Sequence, residues 1–106
     1  MRKLIALSLA ITASPAAAMD DLQAIMLANS LGSMIASETL CGLSYDQAAI
    51  SRYIATNVPP ERMDFASQLQ VQTMGIELQL QNLSASARTA HCAAITQSAR
   101  QAGFIE

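Results

Sequence analysis

A chain of 106 residues, 52% hydrophobic and only 13% charged, has material for one core and is too apolar to stay disordered. Its formal net charge is −2, so no basic excess exists to neutralise a phosphate backbone, which excludes nucleic acid as a partner. Without tryptophan and with two phenylalanines, its core has few large side chains to draw on.

The first eighteen residues read as a secretory signal peptide. Arg2 and Lys3 give a positive start, Leu4 to Ala13 are nearly all apolar, and Pro15 breaks the run before Ala16-Ala17-Ala18. That order of charge, apolar stretch and small residues predicts cleavage after Ala18. The apolar run is about half of the roughly 20 residues a spanning helix needs. No cysteine stands at the cut to carry a lipid, so no stable membrane anchor is expected after cleavage. The expected mature chain, residues 19–106, forms a single helical domain. It keeps Arg52, Arg62, Arg88 and Arg100 against eight carboxylates and has no lysine. At this size only about 60–65% of the unfolded surface is buried, so stability is marginal without a staple.

The first helix is predicted over Asp20 to Cys41. Asp20 and Asp21 suit its N-terminus, and Leu22, Ile25, Met26, Met34 and Ile35 share one face, with Leu31 at its edge. Gly42 offers a stop, although Asn29-Ser30 and Gly32-Ser33 could divide the segment. A second helix opens on Ser44-Tyr45-Asp46-Gln47, which matches a capping box. Ala48, Ala49, Ile50, Tyr53 and Ile54 form its apolar stripe, and Asn57-Val58-Pro59-Pro60 ends it.

A third helix is predicted from Pro60, at its first position, to Asn82. Phe65, Leu69, Ile76, Leu80 and Leu83 mark one face; Val71, Met74 and Leu78 mark a second. Leu69–Gln72 and Ile76–Leu80 also alternate like strands, but glutamine, leucine and methionine favour helix. Two apolar faces predict a central element wrapped by the others. The last helix is capped by Ser84 or Ser86, runs to about Gln101 and stops at Gly103. Ala87, Ala90, Ala94, Ile95 and Ala99 form its thin inner surface.

Cys41 and Cys92 are the only cysteines. In an oxidising compartment an even pair predicts a disulfide. Neither Cys-x-x-Cys nor Cys-x-x-Cys-His is present, and zinc would need a fourth ligand beyond Cys41, Cys92 and His91. The bridge would pin the last helix to the end of the first. The expected fold is therefore all-α, a small bundle of about four helices closed by one long-range disulfide.

Candidate chemistry is thin. His91 is the only histidine, and nothing in the sequence sets a nucleophile and an orienting carboxylate beside it. The mature methionines are Met19, Met26, Met34, Met63 and Met74, and their thioethers could select cuprous ion. The interior ones lie 8, 29 and 11 residues apart, which favours core filling. Glu61 and Asp64 flank Arg62 in what reads as a solvated first turn. Asn82-Leu83-Ser84 matches a glycosylation sequon, which a bacterial export route leaves unused. Phosphate loops, serine elbows, zinc-protease helices and calcium loops are absent. No catalytic, cofactor or metal residue is assigned, and an enzyme is not expected.

Leu40-Cys41-Gly42-Leu43, with Asp46 and Ala48 following, and Ser84 to Cys92 resemble stretches of small exported helical proteins of Gram-negative bacteria. The resemblance spans most of the mature chain, implies export and cysteine pairing, and carries no activity. A second likeness is to small periplasmic acid-stress chaperones, which are short, helical and bridged by one long-range disulfide. Those are rich in lysine, which the mature chain lacks. The expected role is a periplasmic or secreted protein-binding accessory with a partner in the cell envelope. The alternatives are an acid- or stress-responsive chaperone, and a metal- or redox-handling protein.

Overall fold

In the computed structural model, residues 19–106 are described, and they form four helices and no strand. The segment read as a signal peptide lies outside them. The helices are α1 (Asp21–Ser37), α2 (Gln47–Asn57), α3 (Phe65–Leu80) and α4 (Ala85–Ala102), so the chain is all-α as expected.

Helix α1 starts where its aspartates predict. The Asp20 carboxylate accepts from the Gln23 backbone N–H at 2.7 Å, and the Gln23 side chain accepts from Asp20 N–H at 3.1 Å. That reciprocal pair satisfies two of the donors a helix start leaves free. The helix is not divided. Ser33 and Ser37 turn their hydroxyls back to the carbonyls of Asn29 and Ser33, so they sit inside the helix without seeking outside partners.

Its buried face differs from the expected one. Leu22, Ile25 and Met26 are exposed, whereas Ala24, Ala28, Leu31, Gly32 and Met34 are buried. Ala24, Ala28, Gly32 and Ala36 repeat every four residues, and small side chains at that spacing let another helix come close. A methyl added at Gly32 would stand 3.2 Å from Thr73 Oγ1 and 3.4 Å from the Thr73 backbone nitrogen. Close packing against α3 has selected the small stripe over the large one.

The helix ends at Ser37, four residues before Cys41, and continues as turns to Gly42. There φ is +64°. Gly42 N–H donates to Thr39 O at 3.2 Å and Leu43 N–H to Glu38 O at 2.8 Å, the paired bonds of a glycine-terminated helix end. The helix itself thus stops earlier than the sequence predicts, and Gly42 closes the turns that follow it.

The capping box expected at Ser44 does not form. The cap of α2 is Asp46, whose carboxylate accepts from Ala48 N–H and Ala49 N–H at 3.0 and 3.3 Å. Tertiary bonds hold the preceding residues extended. Tyr45 N–H donates to the Glu38 carboxylate at 2.7 Å, Tyr45 OH donates to Met34 O at 2.7 Å, and Asp46 N–H donates to Phe104 O at 2.9 Å. A helix beginning at Ser44 would withdraw Tyr45 from the core.

Helix α3 begins at Phe65, five residues after Pro60. Pro59 to Asp64 are turns instead, with Arg62 N–H bonded to Pro59 O and Phe65 N–H to Arg62 O. Those turns deliver Arg62 to the start of α1, where its guanidinium meets Met19 O at 2.9 Å and Asp21 at 2.8 Å. With Gly32 against Thr73 farther along, α1 and α3 run parallel, joined by α2 as a crossover. The first expected face of α3 is the inner one, with Phe65 and Leu80 buried. The second faces solvent: Val71, Met74 and Leu78 are exposed. The helix is a flank of the bundle, not its wrapped centre.

In α4, Ser84 accepts from Ala87 N–H at 3.1 Å, and Gly103 ends the helix with φ +82°. Ala87, Ala90 and Ala94, expected inside, are exposed, while Ile95 and Ala99 are buried. Helix α4 is tied to α1 at His91 and Cys92 and enters the core through Ile95 and Ala99, and these alanines lie off that face. The core joins Ala28, Leu31, Met34, Tyr45, Ala49, Phe65, Ile95, Ala99 and Phe104. Phe104 stands 5.6 Å from Tyr45 and 5.5 Å, edge-on, from Tyr53. Each such aromatic pair adds about 0.5–1.5 kcal/mol beyond area burial. Cys41 and Cys92 form a disulfide across Cα atoms 5.3 Å apart, closing α4 onto the end of α1.

Candidate functional site

Two places hold side chains that could do something, and the first is the α1–α4 junction. His91 Nε2 lies 2.7 Å from Ser37 Oγ, one residue from the bridged Cys92. A serine and a histidine at this distance are the beginning of a nucleophile and its base. The direction of the bonds argues otherwise. The Ser37 hydroxyl gives its hydrogen to Ser33 O at 2.6 Å, so its oxygen accepts from His91, whose proton is then on Nε2. A base would have to accept there. Ser37 is also fully buried, 0% exposed, and no substrate atom can reach it. The pair is a second tie between α1 and α4, one helical turn from the disulfide.

The second place is a cleft of about 720 Å³ between α2 and α3. Ile54, Ala55 and Val58 form one wall, and Phe65, Ala66, Leu69, Thr73 and Met74 form the other. Pro59 and Pro60 close the apex, and Ile35 of α1 lies at the floor. The two helices diverge from the proline turn because neither proline can continue a helix with its predecessor in place. Val58, the residue before Pro59, is accordingly extended, at φ −115° and ψ 119°.

The chemistry of the cleft is apolar. Among its lining residues only Arg62 and Glu77 carry charge, and Arg62 is committed to Asp21 and, at 3.6 Å, to Asp64. The hydrogen bond to Asp21 raises the guanidinium pKa further, so the charge at that end of the cleft is already paired. Its lining carries no histidine, cysteine or serine. What it can do is take apolar side chains out of water, at about 1.5–3 kcal/mol for each large one fully buried.

The methionines are not the core filling expected. Met34 alone among them is buried; Met26, Met63 and Met74 are exposed, Met63 to 87%. Met63 and Met74 lie along the cleft instead, where flexible thioethers can adapt to a bound surface. Among the described residues, no three His, Cys, Asp or Glu side chains gather as a metal site, and none of their helices is long and apolar enough to cross a membrane. Glu61 and Asp64 are both exposed, as expected of a solvated turn, although that turn precedes α3 and Asp64 also pairs with Arg62 at 3.6 Å.

The cleft was missed in sequence because Pro59-Pro60 reads first as a helix stop. The usable signal is a rigid Pro-Pro apex with apolar stripes on both sides, Ile50–Ile54 before and Phe65–Leu69 after. Compared with protein families, curated proteins and solved structures, the chain matches none.

Proposed function

We propose that this protein is a small, exported, non-catalytic accessory of the cell envelope that binds a protein partner, taking an amphipathic helix of that partner into the α2–α3 cleft. The observation that carries the reading is the cleft itself: open, apolar, walled by two helices and edged with methionine. Helix-in-groove recognition uses such a surface, with apolar anchors at i, i+3, i+4 and i+7 on the guest. Sparse polar groups favour a helix face over a polar small molecule, which needs converging donors and acceptors. Export is supported by the charge and small-residue pattern of residues 1–18 and by the bridged cysteine pair. The periplasm is the compartment this reading favours.

The test is site-specific photocrosslinking in cells, with the crosslinker at Met63 or Ala66 in the cleft and, for comparison, at Ala90 on the exposed side of α4. The expected result is one dominant envelope protein captured from the cleft positions, lost when Ala66→Glu places a charge between the walls. Equal capture from Ala90, or no adduct at any position, would refute it. A scatter of unrelated proteins growing under acid would replace it with the chaperone reading.

A further inference from the structure

The outer face of the α1–α3 pair carries an unpartnered apolar surface of its own. On α1 it comprises Leu22, Ile25 and Met26; on α3 it comprises Val71 and Leu78, with Met74 on the ridge it shares with the cleft, all exposed. Leu22 reaches Ile25 and Met26 at three and four residues on α1, and Val71, Met74 and Leu78 follow at three and four on α3, so each set shares one face. The stripes adjoin, because Ile25 and Val71 line the same shallow hollow. Helix α3 thus carries a second apolar face that its own chain leaves uncovered, in addition to the inner one.

The charge pattern says what covers this surface. No charged residue occurs from Leu22 to Ser37, and Glu77 is the only one from Phe65 to Ala87. A heterologous partner steered by charge would find nothing here to read. A second copy needs none, and an isologous contact between charge-free faces has no like charges to oppose. The area agrees. At roughly 60–120 Å² for a fully exposed large side chain, the six residues offer about 200–450 Å² of apolar surface per copy. Two copies supply roughly the apolar share of an interface at the small end of the specific range, about 1,200 Å² in total.

We infer that the protein self-associates as a two-fold dimer through the α1–α3 outer face, making a four-helix layer in which the two clefts open on opposite flanks. This does not depend on the cleft having a partner. It predicts association in the micromolar range, since the area is small.

The experiment is sedimentation equilibrium on the naturally processed protein from about 1 to 100 µM, a span that brackets weak small-interface dimers. A concentration-dependent dimer is expected. The double variant Val71→Asp/Leu78→Asp should weaken it by about 100-fold or more, while helicity and the Cys41–Cys92 bridge persist, because both positions face solvent in the monomer. Val71→Cys should yield a covalent dimer on oxidation, and Ala90→Cys on α4 should not. A monomer throughout the range, or a dimer indifferent to Val71→Asp/Leu78→Asp, would overturn the inference. Cleft crosslinking that survives Val71→Asp/Leu78→Asp, with a dimer that survives Ala66→Glu, would separate this face from the cleft.

Discussion

Removing one oxygen, in Tyr45→Phe, tests how α1 is finished. At that end Glu38 N–H donates to Ile35 O at 3.2 Å, a tightened bond one residue short of the helical one, and Met34 O loses its usual partner. The Tyr45 hydroxyl donates to that carbonyl at 2.7 Å within the core. Phenylalanine keeps the ring and its contact with Phe104 but leaves the Met34 carbonyl buried and unpaired. Such an orphan costs about 1–3 kcal/mol, against a total of about 5–15 kcal/mol for an ordinary protein. Near neutral pH, urea denaturation followed by circular dichroism should show that loss. In a domain of this size, the melting temperature should fall by roughly 4–8 °C per kcal/mol.

The same residue sets an alkaline limit. Burial first, and the Glu38 carboxylate second, raise the Tyr45 phenol above its ordinary value of about 10. The folded protein therefore holds this proton after the unfolded chain has released it. The contribution is complete below about pH 10 and is lost as pH rises through the folded-state value. Both cysteines are in the bridge, so no free thiol is present to reshuffle it over that range. Tyr45→Phe should start lower and lose less stability than the parent on going alkaline. A variant equal to the parent near neutrality, or one declining as steeply above pH 10, would refute this account of the helix end.

Replacing Cys41 and Cys92 by serine opens a loop whose ends are 51 residues apart, and should cost roughly 4 kcal/mol in the chain-entropy model, read as a lowered urea midpoint. Gly32→Leu should destabilise by about 1–3 kcal/mol, because the new side chain meets the α3 backbone at Thr73; an unchanged melting temperature would disprove the close approach. Ser37→Ala should cost about 1–2 kcal/mol by leaving the His91 Nε2–H without its acceptor, and hydrogen exchange should quicken at the α1–α4 junction before it does elsewhere.

Helix ends were legible where a cap is local. Asp20 at the start of α1, Ser84 at the start of α4 and Gly103 at its end each depend on residues within one turn, and each appears at its predicted place. The bridge was legible because only one pairing exists. Where a distant residue decides, sequence misleads. Ser44 lost the cap to Asp46 because Met34 and Phe104 hold the intervening backbone extended. Helix α1 buried its alanines because α3 approaches at Gly32, and periodicity of large apolar residues cannot report a stripe of small ones. The cleft needed the angle between α2 and α3, which Pro59-Pro60 permits but does not specify. Exposure of Val71 and Leu78 was hidden for a related reason, since an apolar stripe is the same string whether it meets its own chain or another.

Phe104 gives the fold a direction in time. Its ring fills the space between Tyr45 and Tyr53, and its carbonyl takes the N–H of Asp46, so the start of α2 waits for a residue 58 positions later in the chain. A chain emerging from its N-terminus can form α1 and α3, whose contacts need only residues up to Leu80. It cannot seal the aromatic centre, or bring Cys92 to Cys41, until nearly the whole sequence has arrived. Threading through a pore, or cutting by a protease, would thus meet an unlocked chain up to the last turn of α4 and a locked one just after it.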